Sequence, residues 1–137
     1  MNNCIFCKVN SGEIKSYKLY EDKNFIVILD RFPSSVGHAL VIPKEHYKNI
    51  FELPDELCKE LFVVVKKIAV ALKDTFDLEG LNILQNNGEI AGQSVNHFHI
   101  HLIPRYKNDK LNLSWDAIND SEDKFEEATE KIKRFIK

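Results

Sequence analysis

The chain has 137 residues, 44% of them hydrophobic, and a formal net charge of −2. That length suits one domain around one core, and the near-neutral balance excludes a protein that gathers polyanions by bulk charge. No apolar run is long enough to span a bilayer and no charged-then-apolar leader opens the chain, so the expectation is a cytoplasmic protein that meets neither membrane nor nucleic acid.

Cys4 and Cys7 form a Cys-x-x-Cys pair near the start, and Cys58 stands alone. An odd cysteine count argues against a disulfide framework and towards metal or redox use. Leu19-Tyr20 and Phe25–Leu29, parted by the polar run Glu21–Asn24, read as a hairpin. Pro33–Gly37 reads as a loop, and His38–Ile42 as a third strand closed by Pro43. Pro54 opens a helix with Asp55 and Glu56 at its positive end. Leu57, Leu61, Val64, Val65, Ile68, Ala71 and Leu72 then recur at helical spacing, and the helix stops before Gly80. Leu81–Leu84 reads as a fourth strand, and the Asn86-Asn87-Gly88 and Gly92 punctuation as a loop.

The run His97-Phe98-His99-Ile100-His101-Leu102-Ile103 alternates with a period of two and reads as a fifth strand. It sets three imidazoles on one face and Phe98, Ile100 and Leu102 on the other. Same-face neighbours on a strand lie about 6.6–7 Å apart, so three rings in line reach one common ion poorly and divide their duties. The tail, from about 119 to 137, reads as a second helix. Asn119 with Glu122 offers a capping box there, and Phe125, Ala128, Ile132, Phe135 and Ile136 share a stripe. Hairpins with one long inserted helix give an α+β class with an antiparallel sheet.

The segment Gly92-Gln93-Ser94-Val95-Asn96-His97-Phe98-His99-Ile100-His101-Leu102-Ile103 resembles the signature of the histidine triad (HIT) family. Cys4–Lys8, Tyr20-Glu21-Asp22, Gly37–His46 and Ile103-Pro104-Arg105 resemble other parts of that family in the same order, so the likeness covers roughly the first four-fifths of the chain. It implies the HIT fold: a five-stranded antiparallel sheet with one long and one shorter helix, and a homodimer whose sheets join into ten strands. The domain would be 1–137, with the motif-bearing core at 1–105.

The resemblance also implies an activity. A purine nucleoside phosphoramidate or dinucleoside polyphosphate would be cleaved at its α-phosphate, at a P–N or P–O bond, through a nucleotidyl-histidine intermediate. His99 matches the nucleophile, His97 the residue whose backbone carbonyl orients it, and His101 the donor to phosphate oxygens. Ser94 matches a residue that contacts the phosphate and helps the leaving group. Gly92 lets backbone amides approach the phosphate, and Asn86 matches an asparagine facing phosphate and ribose. Asp30 matches a ribose acceptor, and Ile5, Phe6 and Val9 the apolar walls of the base. Arg31 stands where many relatives carry an apolar residue. His38 reads as structural, Arg105 as a satisfier of local carbonyls, and Gln93 receives no role. A bacterial branch of the family carries the cysteine pair with two histidines that match His46 and His97, which implies a structural Zn2+ on Cys4, Cys7, His46 and His97. The alternative activity is a dimeric nucleotide-binding or regulatory protein whose turnover is incidental.

Overall fold

The structure is a computed structural model that describes residues 3–137. Positions 1 and 2 of the expected domain lie outside the described residues. The elements are α1 (Ile5–Ser11), β1 (Lys18–Glu21), β2 (Phe25–Leu29), β3 (Ala39–Pro43), α2 (Asp55–Phe76), β4 (Gly80–Leu84), β5 (Ile100–Arg105) and α3 (Glu122–Phe135), with a 3₁₀ turn at Glu89–Ala91. The strands form one antiparallel sheet in the order β1-β2-β3-β5-β4. The expected α+β architecture is what the chain adopts.

The hairpin between β1 and β2 closes because Asp22 turns its carboxylate onto the Asn24 and Phe25 amides, both at 2.8 Å. In β2 and β3, residues facing opposite ways are both buried. Phe25, Val27, Ala39 and Val41 pack with α2 residues Leu61, Val64, Val65, Ile68 and Leu72, while Ile26, Ile28, Leu40 and Ile42 pack with Phe6 and Val9 of α1. This two-sided burial is why these strands read as continuous apolar runs. In β5 the alternation persists. Ile100 and Leu102 join the α2 cluster, and His101 faces the α1 side. The site therefore lies on the face of the sheet opposite α2.

Gly37 fixes how the loop before β3 meets the end of α2. Its φ is +92°, and a Cβ there would lie 2.7 Å from Phe76 Cε2 and 3.2 Å from Pro104 Cγ. Backbone strain and crowding thus act together. Gly37→Ala is expected to lower unfolding stability by about 1–3 kcal/mol, read as a shifted urea midpoint at unchanged slope.

The structure differs from the sequence pattern at four places. First, it adds α1, which the pattern does not mark: it has seven residues and two buried apolar positions, and its N-cap is the Cys4 thiol, which accepts from the Cys7 amide at 3.4 Å. Second, the third strand runs Ala39–Pro43 rather than His38–Ile42. Third, the fifth strand begins at Ile100, not His97. Its pairing with β3 ends at Val41↔Ile100, and Pro43 has no amide hydrogen to extend the ladder. His97 and Phe98 are instead held by His97 Nε2–H to Pro43 O at 2.8 Å and Phe98 N–H to Tyr47 O at 2.7 Å. Fourth, α3 is capped by Ser121, whose Oγ accepts from the Lys124 amide at 3.3 Å, not by an Asn119–Glu122 box.

Candidate active site and candidate metal centre

A cavity of about 370 Å³ opens on the α1 side of the sheet. Ile5, Phe6 and Val9 of α1 form one wall; Asp30 follows β2; Ser94, His99 and His101 close the other side. These seven predicted residues are brought together. Ile14, Tyr17, Ile28 and Leu40 complete the apolar lining, and Arg31 and Phe32 stand at the rim. Sequence reasoning missed the segment from Ile14 to Tyr17, which carries no periodicity to mark it. Asn86 and Gly92 do not line this cavity. They meet each other, with Asn86 Nδ2–H donating to Gly92 O at 3.4 Å. Arg31 donates to Lys15 O at 3.3 Å.

His99 is 6% exposed, and its Nδ1 lies 2.8 Å from His97 O. A carbonyl can only accept, so Nδ1 carries the proton and Nε2 keeps its lone pair. Burial lowers the His99 pKa below the ordinary histidine value, against the opposing pull of the His97 carbonyl and Asp30. Phe6 packs edge-on against this ring, with centroids 5.0 Å apart at 74°.

His101 takes the other tautomer. The Ser34 amide donates to His38 Nδ1 at 3.0 Å, so a neutral His38 carries its hydrogen on Nε2. That nitrogen lies 2.9 Å from His101 Nδ1 and 3.4 Å from Asp30 Oδ2. His101 therefore accepts at Nδ1 and presents Nε2–H as a donor. Burial, helped by the proximity of His99 and His38, pushes the His101 pKa down to about 4. Burial also lowers His38, opposed by Asp30. The pocket thus sets a neutral lone pair beside a neutral N–H donor, their ring centroids 4.9 Å apart.

Asp30, His38 and His101 also bring three ligand-type atoms together. They suit a hydrogen-bond chain better than an ion. The His38 lone pair on Nδ1 is engaged, and 2.9 Å between the two facing nitrogens is shorter than the roughly 3.3 Å edge that two imidazoles make around a tetrahedral zinc.

The second cluster is of another kind. Cys4 Sγ lies 3.3 Å and Cys7 Sγ 3.6 Å from His97 Nδ1; Cys7 Sγ is 3.4 Å from His46 Nδ1, and the two Nδ1 atoms are 3.1 Å apart. Zn–S near 2.3 Å and Zn–N near 2.0–2.1 Å give tetrahedral edges of roughly 3.3–3.8 Å; the three sulfur–nitrogen separations fall in that range and the two nitrogens lie just short of it, so the donor set accommodates such an ion with a small outward shift of one ring. His97 Nε2–H is tied to Pro43 O, which leaves Nδ1 free to ligate and fixes the ring from behind. Burial first, and then the neighbouring His46 and His99, push the His97 pKa down to about 4, keeping the lone pair available. The four residues could hold a metal ion.

Gln93 has a role that the sequence left unassigned. It is buried, its Oε1 accepts from the Gly88 amide, and its Nε2 donates to Lys48 O and Val95 O. It braces the loop that carries Ser94. Arg105 satisfies one local backbone carbonyl, Leu111 O, but its main partner is the Asp109 carboxylate, with Asn82 Oδ1 as a third acceptor. Cys58 is partly buried, with Sγ 4.0 Å from Leu53 O.

A five-stranded antiparallel sheet carrying a histidine row beside an apolar cavity defines an α+β class of protein with a small-molecule-sized pocket on one sheet face. The sequence model of the HIT domain matches residues 11–108, and the chain belongs to the HIT family. It is 53% identical over 114 residues to the Protein hit of Bacillus subtilis, covering 82% of this chain and 79% of that one. It is 41% identical over 136 residues to the adenosine 5'-monophosphoramidase hnt1 of Schizosaccharomyces pombe, covering 98% and 99%. A crystal structure of a HIT family member from Bacillus subtilis superposes with a TM-score of 0.94 over 98% of each chain, at 43% identity. A Zn-bound histidine triad family protein from Mycobacterium smegmatis superposes with a TM-score of 0.76 over 84% of each, at 39% identity. No helix among the described residues is long and apolar enough to cross a membrane.

Proposed function

We propose that this protein is a nucleotide hydrolase of the phosphoramidase kind, cleaving the P–N bond of a purine nucleoside 5'-phosphoramidate within one HIT domain. The observation that carries the reading is the His99 ring, locked by the His97 carbonyl with a neutral Nε2 at the cavity. The phosphoramidase activity named for the yeast relative, 41% identical over nearly its whole length, supports the choice of bond.

The base lies against Ile5, Phe6 and Val9, and Asp30 accepts from the ribose hydroxyls. His99 Nε2 attacks the α-phosphorus. The P–N bond breaks as the P–Nε2 bond forms, and the amine leaves with a proton drawn from solvent through the Ser94 hydroxyl, a proton that the attacking water gives back in the second step. His101 Nε2–H donates to a non-bridging oxygen as charge gathers there. Water then attacks phosphorus from the vacated side, frees His99 and releases the nucleoside monophosphate. Asn86 and Gly92 flank the loop that delivers Ser94, and their part is to shape it for the phosphate.

The same reading places a structural Zn2+ on Cys4, Cys7, His46 and His97, where it supplies a cross-link between α1 and the sheet. With all four positions taken by protein, the site is of the closed kind that holds structure. Two copies would pair along β4, an edge strand of the sheet, with an adenosine-type nucleotide in each pocket. Reduced cysteines suit a cytoplasmic home.

Acid quenching during turnover of adenosine phosphoramidate labelled at phosphorus tests the reading. An acid-labile nucleotidyl-protein should appear; its absence at full turnover rate rules out a covalent histidine step. The pH profile follows from the same tautomers. Only neutral His99 attacks, and its pKa sits below the usual value, so the rate should stay level as pH falls through about 6.5 and drop only at lower pH. A midpoint at or above the ordinary histidine value would contradict this burial.

A further inference from the structure

Ser94 stands where strand pairing no longer reaches. β4 ends at Leu84 and β5 begins at Ile100, so the connection between them is held by other bonds. Gln93 is central to these. It is 4% exposed and is not among the residues that line the cavity. Its Oε1 accepts from the Gly88 amide at 2.8 Å and its own amide donates to Gly88 O at 3.0 Å, which closes the turn 88–93 at its neck. Its Nε2 donates to Lys48 O at 2.7 Å and to Val95 O at 3.0 Å. One side-chain amide thus joins three stretches of backbone: the turn, the segment after β3, and the residue that follows Ser94. None of these bonds involves Ser94 itself. The bond from Nε2 to Val95 O runs from the residue before Ser94 to the residue after it, so the serine is straddled by its neighbour.

A leucine would fill much the same space with no polar groups to satisfy. A buried amide costs free energy unless its donors and its acceptor are met, and here both kinds are. What a fully met network adds is one loop geometry in place of several. The backbone on which Gln93 leans is itself tied to both sides of the loop. Tyr47 O accepts from the Phe98 amide at 2.7 Å, and Asn87 Oδ1 accepts from the Ile50 amide at 2.9 Å. Such precision matters for a group that hands over a proton, because a misplacement of about 1 Å can cost roughly a hundredfold in rate.

We propose that Gln93 is a positioning residue: it aims the Ser94 hydroxyl at the leaving nitrogen, and so governs protonation of the amine rather than attack at phosphorus. This rests on the hydrolase reading and on the part given there to Ser94, and it needs no metal. As the P–N bond breaks, its electron pair goes to nitrogen, and the nitrogen takes the proton that Ser94 Oγ relays from solvent. An alkylamine does not depart as an anion, so its loss depends on that proton. A 4-nitrophenolate departs as a stable anion and needs none. The attack by His99 is common to both.

The experiment uses the full chain in single turnovers, followed by acid-quenched formation of the nucleotidyl-protein. The substrates are an adenosine 5'-(N-alkyl)phosphoramidate and adenosine 5'-(4-nitrophenyl) phosphate, and the readout is the ratio of the two rates, ester over amidate. Ser94→Ala should raise that ratio by about a hundredfold. Gln93→Leu removes every side-chain bond, and Gln93→Glu keeps the acceptor for Gly88 but loses both donors. Each should raise the ratio by at least about tenfold. Gln93→Leu/Ser94→Ala should raise it no further than Ser94→Ala does, because aim is immaterial once the hydroxyl is gone. Equal slowing of both substrates by the Gln93 variants overturns the proposal and makes the residue a prop for the whole site. An unchanged ratio, a double variant whose effects multiply, or loss of fold by both Gln93 variants in circular dichroism overturns it as well. If Ser94→Ala leaves the ratio unchanged while the wild type still forms the adduct, the part given to Ser94 falls and this proposal with it, while His99 stands as nucleophile. No adduct in the wild type rules out the covalent histidine step itself.

Discussion

His99→Ala should lower kcat/KM for adenosine phosphoramidate by about ten-thousandfold or more while leaving the affinity for adenosine monophosphate within a few-fold of wild type. The reason is in the geometry. His99 is the ring whose proton is fixed on the inward nitrogen by a carbonyl at 2.8 Å and whose other nitrogen reaches the cavity. Its neighbours cannot take over. His97 spends Nε2 on Pro43 O and turns Nδ1 to the cysteines, and His101 spends Nδ1 on His38 and offers only a donor. The acid-labile adduct should vanish with the rate. His101→Ala should instead slow the reaction by a smaller factor, of order a hundredfold, as loss of one oxyanion donor does, and should leave the adduct detectable. Equal activity in His99→Ala and wild type would end the hydrolase reading and leave a nucleotide binder.

Removal of the proposed metal ligands should be the largest effect on stability. Cys4→Ser/Cys7→Ser, or exhaustive chelation of the wild type, should lower the melting temperature by about 10 °C. That follows from about 4 kcal/mol of linked stabilisation at a metal concentration a thousandfold above Kd, and from roughly 2–4 °C per kcal/mol for a chain of this size. The helix that loosens is α1, which is capped by Cys4 and enters the core through Phe6 and Val9. Below the new melting point, the molecules still folded should turn over substrate, because the proposed ion contacts no reacting atom. Activity that followed zinc content at constant fold would make the ion catalytic and overturn its structural assignment.

Much of this was legible in the chain itself. The two-residue period of the histidine run assigned His99 and His101 to one face and Ile100 and Leu102 to the other, and that sorting holds even though the strand starts only at Ile100. Backbone hydrogen bonds to Pro43 and Tyr47 keep the alternation where the ladder has stopped. The long helix was legible because its buried stripe spans several turns. The short α1 was not, since seven residues hold too few turns to show a period and a thiol is an unusual cap. The His38–His101 contact was out of reach for a different reason. It joins residues 63 apart, and the alignment depends on β3 pairing with β5, a strand order that periodicity does not encode. Asn86 and Gly92 show the opposite failing: turn chemistry located the loop, but not which of its groups would face the cavity.

Leu40 and Val41 are consecutive, yet one lines the cavity beside Ile28 and the other lies beneath α2. Selection can therefore act on them almost independently. Changes at 28 and 40 would retune which ligand is held at some cost to the packing against α1, and changes at 27 and 41 would trade robustness without touching recognition. A single pair of strands thus gives the lineage two separately adjustable dials.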